Sequence, residues 1–285
     1  MRAQFIEPML ASLVEQPPDG EEWIHEIKHD GYRTLLALED GKVQAFTRRG
    51  ADWTAKYGAA VREVGGLPVH SAILDGEMTV LNADGRSDYR AFKTAIKSSP
   101  GRLVFIAFDM LMIDGKDIRG ETTIERRERL QIVLDDPPTA IQFSEAVQGG
   151  GKAFYQAADA MGLEGIVSKR AKASYIGGRT RAWLKIKSYA ISELEVAGVL
   201  DGRGKPTMAL MVDRQNNYRG GAFITNRGIK ERLLSRVRAK RVPLPKGMEA
   251  KPDAKWLEPG VMATVRHLRG EEDLRHASIE SVERT

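Results

Sequence analysis

The chain has 285 residues, of which 42% are hydrophobic and 29% charged, and its formal net charge is +5. This length supports one large domain, or a large and a small one, and the absence of cysteine excludes disulfides, thiolate catalysis and cysteine-rich zinc sites. No apolar run approaches the roughly 18 residues of a membrane span, and residues 1–18 lack a signal-peptide pattern, so the sequence predicts a cytoplasmic protein with no membrane partner.

The first two thirds of the chain combine many strand-like runs with a few helical segments. Short β-rich runs bounded by turn residues predict strands at 23–28, 34–38, 42–47, 72–81, 103–113, 165–169 and 183–187. Helices are predicted at 87–97, after a Ser-Asp cap signal, at 122–134, where Thr122 and Glu125 have capping-box spacing, and at 151–162. Because runs of strands are separated from the helices, we predict an α+β fold with mostly antiparallel sheets.

The pattern changes near residues 188–192. Short strand candidates at 193–200, 207–213, 220–226 and 261–268 are separated by turn-rich segments, and one helix is predicted at 229–240. Several short strands with a single helix are typical of a small β-barrel of the OB type, a common nucleic-acid-binding scaffold. We therefore predict a larger domain at 1–188 and a smaller one at 189–285.

The excess of positive charge lies in the smaller predicted domain. Residues 1–187 contain 26 basic and 26 acidic side chains, whereas residues 188–285 contain 18 and 13. Such a basic segment attracts polyanions, nucleic acid first, although a solvated amphipathic helix explains the segment equally well when it is taken alone. The predicted DNA-contacting residues, here called the basic stripe, are Lys230, Arg232, Arg236, Arg238, Lys240 and Arg241.

The segment EIKHDGYR, residues 26–33, places Lys28 at the end of a predicted strand. A lysine becomes a nucleophile only when its amine can lose a proton to a base or to its surroundings. Taken alone the segment is a weak signal, because Asp-Gly pairs, here and at 75–76, usually mark turns. Four further segments suited to a nucleotide triphosphate follow at strand ends: ILDGE (73–77), FIAFD (105–109), EGIVSK (164–169) and WLKIK (183–187).

The chemistry of these segments is mutually consistent. Lys185 and Lys187 flank one apolar residue, so both ammonium groups leave the same face of a strand and can bind a phosphate. Glu77 and Glu164 supply carboxylates of the kind that hold magnesium beside phosphate oxygens. Phe108 lies in an apolar strand, where its ring can stack on a purine or simply belong to the core. In this order, the segments together predict a nucleotide site.

The set resembles the covalent nucleotidyltransferases, which include ATP-dependent DNA ligases, RNA ligases and mRNA capping enzymes. It is most similar to the ligase module of bacterial ligase D, the non-homologous end-joining enzyme. The similarity runs nearly end to end, through residues 5–33, 46–54, 73–81, 105–115, 164–170 and 178–187. It implies an adenylation domain of antiparallel sheets with flanking helices at 1–188, followed by an OB-fold DNA-binding domain at 189–285.

The resemblance also implies roles for individual residues. Lys28 would attack the α-phosphate of ATP to give lysyl-AMP, while Glu26 and the adjoining backbone would read the adenine and Phe108 would stack on it. Lys28, Lys185 and Lys187 are the implied catalytic residues, and Glu77 and Glu164 the implied ligands of Mg²⁺ or Mn²⁺. The implied cofactor-binding residues are Glu26, Ile27, Arg33, Arg48, Glu77, Phe108, Glu164, Lys169, Lys185 and Lys187.

The implied function is an ATP-dependent DNA ligase that acts in DNA repair or end joining. Its implied partners are nicked or broken duplex DNA, Ku and an end-joining polymerase, and the protein is expected to be a monomer. An RNA ligase and a non-catalytic nucleic-acid-binding relative remain open as alternatives. The family normally ends in a basic Arg-acid-Lys pattern that orients pyrophosphate, whereas this tail ends SVERT and offers Arg275 instead, which predicts slow self-adenylation.

Overall fold

The structure is a computed structural model that describes residues 2–202, 204–237, 243–269 and 273–283. The chain divides into two units, Met1–Lys187 (unit 1) and Ser188–Thr285 (unit 2). Among the described residues, no helix combines the length and the apolar character needed to cross a bilayer.

Unit 1 consists of two sheets with helices packed around them. Its elements in chain order are β1 (Met9–Leu13), β2 (Trp23–Ile27), β3 (Tyr32–Glu39), β4 (Lys42–Thr47), α1 (Thr54–Val64), β5 (Ser71–Thr79), α2 (Tyr89–Ser98), β6 (Val104–Ile113), β7 (Lys116–Asp117), α3 (Thr123–Val133), β8 (Ile141–Phe143), β9 (Ala146–Gln148), α4 (Gly151–Ala160), β10 (Gly165–Arg170) and β11 (Gly178–Lys187).

The first sheet has the strand order β1-β11-β10-β2-β9, in which β10 is antiparallel to both β2 and β11, and β1 is parallel to β11. The register opposes Gly165 to Lys187 and Ile166 to Ile27. Because Lys28 follows Ile27 and Glu164 precedes Gly165, this register brings Lys28 and Glu164 to the same end of the sheet.

The second sheet has the order β4-β3-β5-β6-β7, with β8 paired to β6. A core of α1, α2 and α3 residues packs against β3, β5 and β6, and it includes Tyr57, Phe92 and Leu130. A separate apolar cluster joins the two sheets, since Met9 and Trp183 of the first pack with Leu35, Ile73 and Phe108 of the second. With both faces covered, β5 and β6 are buried along almost their whole length.

Unit 2 contains β12 (Tyr189–Leu200), β13 (Met208–Val212), β14 (Tyr218–Phe223), α5 (Arg227–Leu234), β15 (Ala254–Trp256), β16 (Met262–Leu268) and β17 (Ser278–Val282). Five of these strands form a closed ring in the order β12-β13-β14-β17-β16, because β12 pairs with both β13 and β16. The ring surrounds an apolar core that includes Val196, Met211 and Val265. Closure leaves few strand edges exposed to other chains.

The predicted α+β class with mostly antiparallel sheets is confirmed. The 42–47 strand has its predicted bounds, and the capping box of Thr122 and Glu125 forms at the start of α3. The helix predicted at 229–240 is wrong in its bounds. It begins at Arg227, where the Asn226 side chain caps it, and ends at Leu234, after which Val237 bridges to Leu257.

Five elements of unit 1 were not predicted from the sequence: α1, β1 and the short strands β7, β8 and β9. Helix α1 has a non-helical Gly58 inside it, which weakens its pattern, and β1 has a parallel partner more than 160 residues away. The turn reading of Asp75-Gly76 is also wrong, because both residues lie within β5. Glycine is required there, since a Cβ on Gly76 would lie 2.4 Å from the Phe105 ring.

Candidate functional site

Unit 1 contains a cavity of about 870 Å³ that is lined by residues of both sheets. This volume falls within the range of roughly 300–1,000 Å³ that is typical of small-molecule and cofactor sites. Nine of the eleven residues predicted for the nucleotide site line it: Glu26, Ile27, Lys28, Arg33, Arg48, Glu77, Phe108, Lys169 and Lys185. The other two, Glu164 and Lys187, are not in the lining, but the register of β10 and β11 places them beside it.

Lys28 is held at the cavity by two contacts with the start of β10. Its backbone N–H donates to the carbonyl of Gly165 at 3.0 Å, and its Nζ makes an ion pair with the Glu164 carboxylate. Glu164 is buried, whereas the Lys28 side chain remains 20% exposed. A carboxylate in direct contact with the amine can accept its proton. This role was not predicted from the sequence, which assigned Glu164 only to a metal ion.

Glu77 lies in the field of the same charges. Burial raises the pKa of Glu77 to about 8, the positive charges of Lys28 and Arg33 oppose this rise, and the negative charges of Asp30 and Glu164 add to it. A cation near Glu77 and Glu164 would relieve this cost. No cluster of three or more metal-ligating side chains occurs in the described part of the chain. The two carboxylates fit a hard divalent cation that keeps several waters and takes its other ligands from phosphate.

Positive side chains gather on one side of the cavity. Burial lowers the pKa of Lys185, and the neighbouring charges of Lys28, Arg179 and Arg48 lower it further, against the opposing charge of Glu164. Arg179 was not predicted as a site residue. It lies an even number of positions before Lys185 on β11, so period-two alternation could have identified it. This cation density suits a ligand with several negative charges.

A buried trio of charges includes two lining residues, Glu26 and Lys169, and Arg127 behind them. Glu26 Oε1 accepts from Lys169 Nζ at 2.6 Å and from the guanidinium of Arg127 at 2.7 Å. Burial lowers the pKa of Lys169 to about 8, the charge of Glu26 opposes this, and that of Arg127 adds to it. Lys169 Nζ also donates to the Phe108 carbonyl and lies 4.3 Å from the centre of the Trp183 ring. The sequence reasoning found Glu26 and Lys169 but not Arg127.

Arg33 is anchored by Asp75 instead of projecting freely into the cavity. Its guanidinium donates to both carboxylate oxygens of Asp75, at 2.5 and 2.6 Å, and lies 4.5 Å from the centre of the Phe108 ring. The hydroxyl of Tyr175 donates to Asp75 and accepts from the backbone N–H of Met9. This network fixes the Arg33 guanidinium over the Phe108 ring. The sequence analysis did not assign Asp75 a role in the site and did not name Tyr175.

The described residues of the basic stripe lie in or just after α5 of unit 2. Lys230 Nζ pairs with Asp201 at 2.7 Å, and Arg232 donates to the carbonyl of Val282 at 3.3 Å. Arg236 follows the helix. The remaining stripe residues, Arg238, Lys240 and Arg241, lie outside the described residues.

Arg275 lies in the turn before β17. Its backbone carbonyl accepts from the N–H of Leu268, the last residue of β16, at 2.9 Å. The side chain is partly exposed.

Comparisons with known proteins agree with this geometry. The sequence profile of the ATP dependent DNA ligase domain matches residues 8–187. The multifunctional non-homologous end joining protein LigD of Pseudomonas aeruginosa is 36% identical over 205 residues, which are 70% of this chain and 24% of that protein. The SPbeta prophage-derived DNA ligase-like protein LigB of Bacillus subtilis is 32% identical over 198 residues, 68% of this chain and 72% of that protein.

A solved structure of similar extent is the ligase domain of LigD from M. tuberculosis. It is 26% identical, with a TM-score of 0.60, and the match covers 97% of this chain and 94% of that chain. The similarity therefore extends through both units, whereas the chain spans only about a quarter of the length of the Pseudomonas LigD protein.

The site geometry predicts a strong effect of Gly165→Ala. Gly165 has φ +141°, and a Cβ there would overlap the Ile186 carbonyl, so the substitution must shift the strand start that carries Glu164 and binds the Lys28 backbone. We expect AMP binding, measured by isothermal titration calorimetry, to weaken at least about tenfold, or about 1.4 kcal/mol. Gly101→Ala is the control, because no atom lies within 4 Å of its added Cβ. Equal affinities in the two variants would contradict the expectation.

Proposed function

Because the chain belongs to the family of ATP-dependent DNA ligases, we propose that it seals nicks or breaks in duplex DNA through a lysyl-AMP on Lys28 and a 5′-adenylated strand. The observation that carries the assignment of Lys28 is its position: the amine lies at a nucleotide-sized cavity, in contact with a buried carboxylate and surrounded by other cations.

In the first step, Lys28 Nζ attacks the α-phosphorus of ATP. A nitrogen–phosphorus bond forms, the bond to pyrophosphate breaks, and the amine gives up its proton, for which Glu164 is the contacting acceptor. Negative charge develops on the phosphate oxygens, and Lys185, Arg48 and Arg179 are the cations placed to stabilise it.

A divalent cation held by Glu77 and Glu164 would supply further neutralisation of phosphate charge when bound, in the manner usual for Mg²⁺ or Mn²⁺ beside nucleotides. In the second step the 5′-phosphate of the DNA displaces Lys28 from AMP and forms the 5′-adenylated strand. In the third step a 3′-hydroxyl attacks that phosphate, forms the phosphodiester bond and releases AMP.

Adenine recognition is assigned to the part of the cavity lined by Glu26, Ile27 and Phe108. The Phe108 ring is fixed edge-to-face on Trp183, with 6.1 Å between centroids, so it offers a rigid surface for stacking. Lys169 keeps the Glu26 carboxylate in place. Arg33, anchored by Asp75, supports the ring and retains a part-exposed guanidinium for phosphate.

Unit 2 is proposed to be an OB-fold that binds DNA. When only its five strands are numbered, in chain order, the ring has the order 1-2-3-5-4, with the third and fifth strands parallel, which is the connectivity expected of this five-stranded barrel. Lys187 at the end of β11 is assigned to phosphate binding. DNA contact by the basic stripe rests on its charge and on the full or partial exposure of its described members Lys230, Arg232 and Arg236.

The Pseudomonas relative is a multifunctional non-homologous end joining protein. We extend this role to the present chain as DNA repair in the bacterial cytoplasm, with Ku and an end-joining polymerase as partners and the ligase itself as a monomer. The alternative of an RNA ligase is tested by offering nicked RNA beside nicked DNA. A non-catalytic relative would take no label from α-labelled ATP.

Lys28→Ala is expected to abolish transfer of label from α-labelled ATP to the protein, because the nucleophile is gone. Sealing of a nick that already carries 5′-AMP should survive in part, since the third step does not use the amine as a nucleophile. Gel assays of the two reactions measure both effects. Lys152→Ala, an exposed lysine on α4, is the control. Covalent label on the Lys28→Ala protein would mean that another residue is the nucleophile.

The basic stripe predicts salt-dependent DNA affinity. For each phosphate neutralised on duplex DNA, the logarithm of the binding constant should fall by roughly 0.9 per decade of salt. Replacing Arg236 and Arg238 with Glu should weaken nick binding in fluorescence anisotropy and leave lysine adenylation nearly unchanged. Lys152→Glu with Lys172→Glu, two exposed lysines of unit 1, gives a charge-matched control. An equal loss of adenylation would argue against a DNA-contacting role.

Mutation of Arg275 tests whether this residue takes part in the first step. If its side chain orients pyrophosphate, Arg275→Ala should slow lysyl-AMP formation at least about tenfold, because such contacts act mainly in the transition state. Sealing of pre-adenylated nicks should stay within about twofold of the parent, and Arg275→Lys should lie between. Single-turnover rates of the two steps measure this. Unchanged adenylation in Arg275→Ala would show that the tail only completes the ring of strands.

A further inference from the structure

Arg127 of α3 connects three parts of the cavity wall. Its guanidinium donates to Glu26 Oε1 at 2.7 Å, to the Phe108 carbonyl at 3.1 Å and to the Ser144 carbonyl at 2.6 Å. The same group lies over the Phe143 ring, 4.6 Å from its centre. Glu26 belongs to the first sheet and Phe108 to the second, so this one buried cation links the two sheets at the residues assigned to adenine.

The neighbouring Arg126, in the same helix, makes contacts of a different kind. It is fully buried and donates to both oxygens of Asp109, at 2.8 and 2.9 Å, and to the carbonyls of Glu121 and Ala173. None of these partners lines the cavity, whereas Glu26 and Phe108 both do. The two arginines are adjacent in sequence, but Arg127 contacts the lining residues Glu26 and Phe108, whereas Arg126 pairs with Asp109.

We infer that Arg127 is a positioning residue for base recognition, which makes Glu26 a fixed hydrogen-bond acceptor for an exocyclic amino group and sets the distance between that acceptor and the stacking ring of Phe108. The inference rests on the proposed function and deepens it, because it names the residue that positions the carboxylate assigned to adenine. Arg127 itself lies behind the lining and acts through its neighbours.

The contacts of the two Glu26 carboxylate oxygens explain how Arg127 would fix this acceptor. Arg127 and Lys169 both donate to Oε1, and the Ser144 hydroxyl lies 3.4 Å from Oε2. With Oε1 satisfied by two cations, the carboxylate cannot rotate without breaking both pairs, and Oε2 keeps acceptor capacity. An acceptor-only carboxylate favours the amino group at carbon 6 of adenine and repels the oxygen at that position in guanine or hypoxanthine.

Lysine cannot replace Arg127 in this role. An ammonium is a single centre, whereas the guanidinium reaches Glu26, Phe108 and Ser144 at once through a planar fork and stacks on Phe143. In Arg127→Lys the positive charge persists, but Glu26 keeps only its pair with Lys169, so its orientation relative to the Phe108 ring is less tightly held. The loss should therefore appear in selection between bases more than in the chemical step.

The experiment compares ATP with purine riboside triphosphate, which lacks only the amino group, in single-turnover labelling of Lys28. We expect the parent to prefer ATP by about 10- to 100-fold, the range for one hydrogen bond to a charged group. Arg127→Lys should reduce this preference to below about threefold by raising the half-saturating ATP concentration, with the maximal rate within about twofold. Arg126→Lys is the matched control and should lose thermal stability but keep the preference.

A second variant tests the inference independently in case Arg127→Lys does not fold. Phe143→Leu removes only the ring on which the guanidinium stacks and should reduce the preference in the same direction by a smaller factor. A Glu26→Gln background completes a double-mutant cycle: if Arg127 acts through Glu26, then Arg127→Lys should change the preference little further there.

The outcomes distinguish failure of the proposed ligase function from failure of the role inferred for Arg127. A parent that takes no label from ATP contradicts the proposed function. A parent that is labelled but shows no preference for the amino group, or a preference that survives in both Arg127→Lys and Phe143→Leu, overturns the inference alone. Equal loss of preference in Arg126→Lys would also overturn it, since the effect would then belong to the stability of α3.

Discussion

The pairing of β10 with β2 on one side and β11 on the other is the constraint on which the site depends. Backbone hydrogen bonds in this register place Lys28, Glu164 and Lys187 at one end of the first sheet, although they are far apart in sequence. Side chains alternate along each strand, so a slip of one residue would turn Lys185 away from the cavity and Ile186 into it. Gly165, where a Cβ would meet the Ile186 carbonyl, fixes that register.

Buried ion pairs hold many of the charged side chains around the cavity of unit 1. Several buried acids in the cavity wall or behind it pair with a cation: Glu26 with Lys169 and Arg127, Asp75 with Arg33, and Asp109 with Arg126. Breaking such a pair leaves one charge uncompensated in a medium that solvates it poorly, which typically costs about 3–5 kcal/mol. The pairs therefore fix side-chain positions, and the remaining cations, on the side of Lys185, face the space for the ligand.

The aromatic residues add rigidity at low cost in conformational freedom. Phe108 and Tyr175 both lie edge-on to Trp183, and Arg33 and Lys169 each lie within 5 Å of the Phe108 ring centre. A ring held on several sides offers one fixed face, which suits stacking of a base. The same packing makes the apolar cluster that joins the two sheets, so core stability and base recognition are coupled in this fold.

The α+β class, most strand positions, the α3 capping box and the segments that supply Lys28, Glu77 and Lys185 could be predicted from the sequence, because periodicity, caps and strand-end motifs are local signals. The contacts that these residues make could be read only from the folded chain. The Lys28 pair with Glu164, the Asp75 anchor of Arg33 and the Arg127 bridge each join residues between 42 and 136 positions apart. Such contacts depend on strand register and on which buried donor meets which acceptor, and a single sequence carries no local pattern for either.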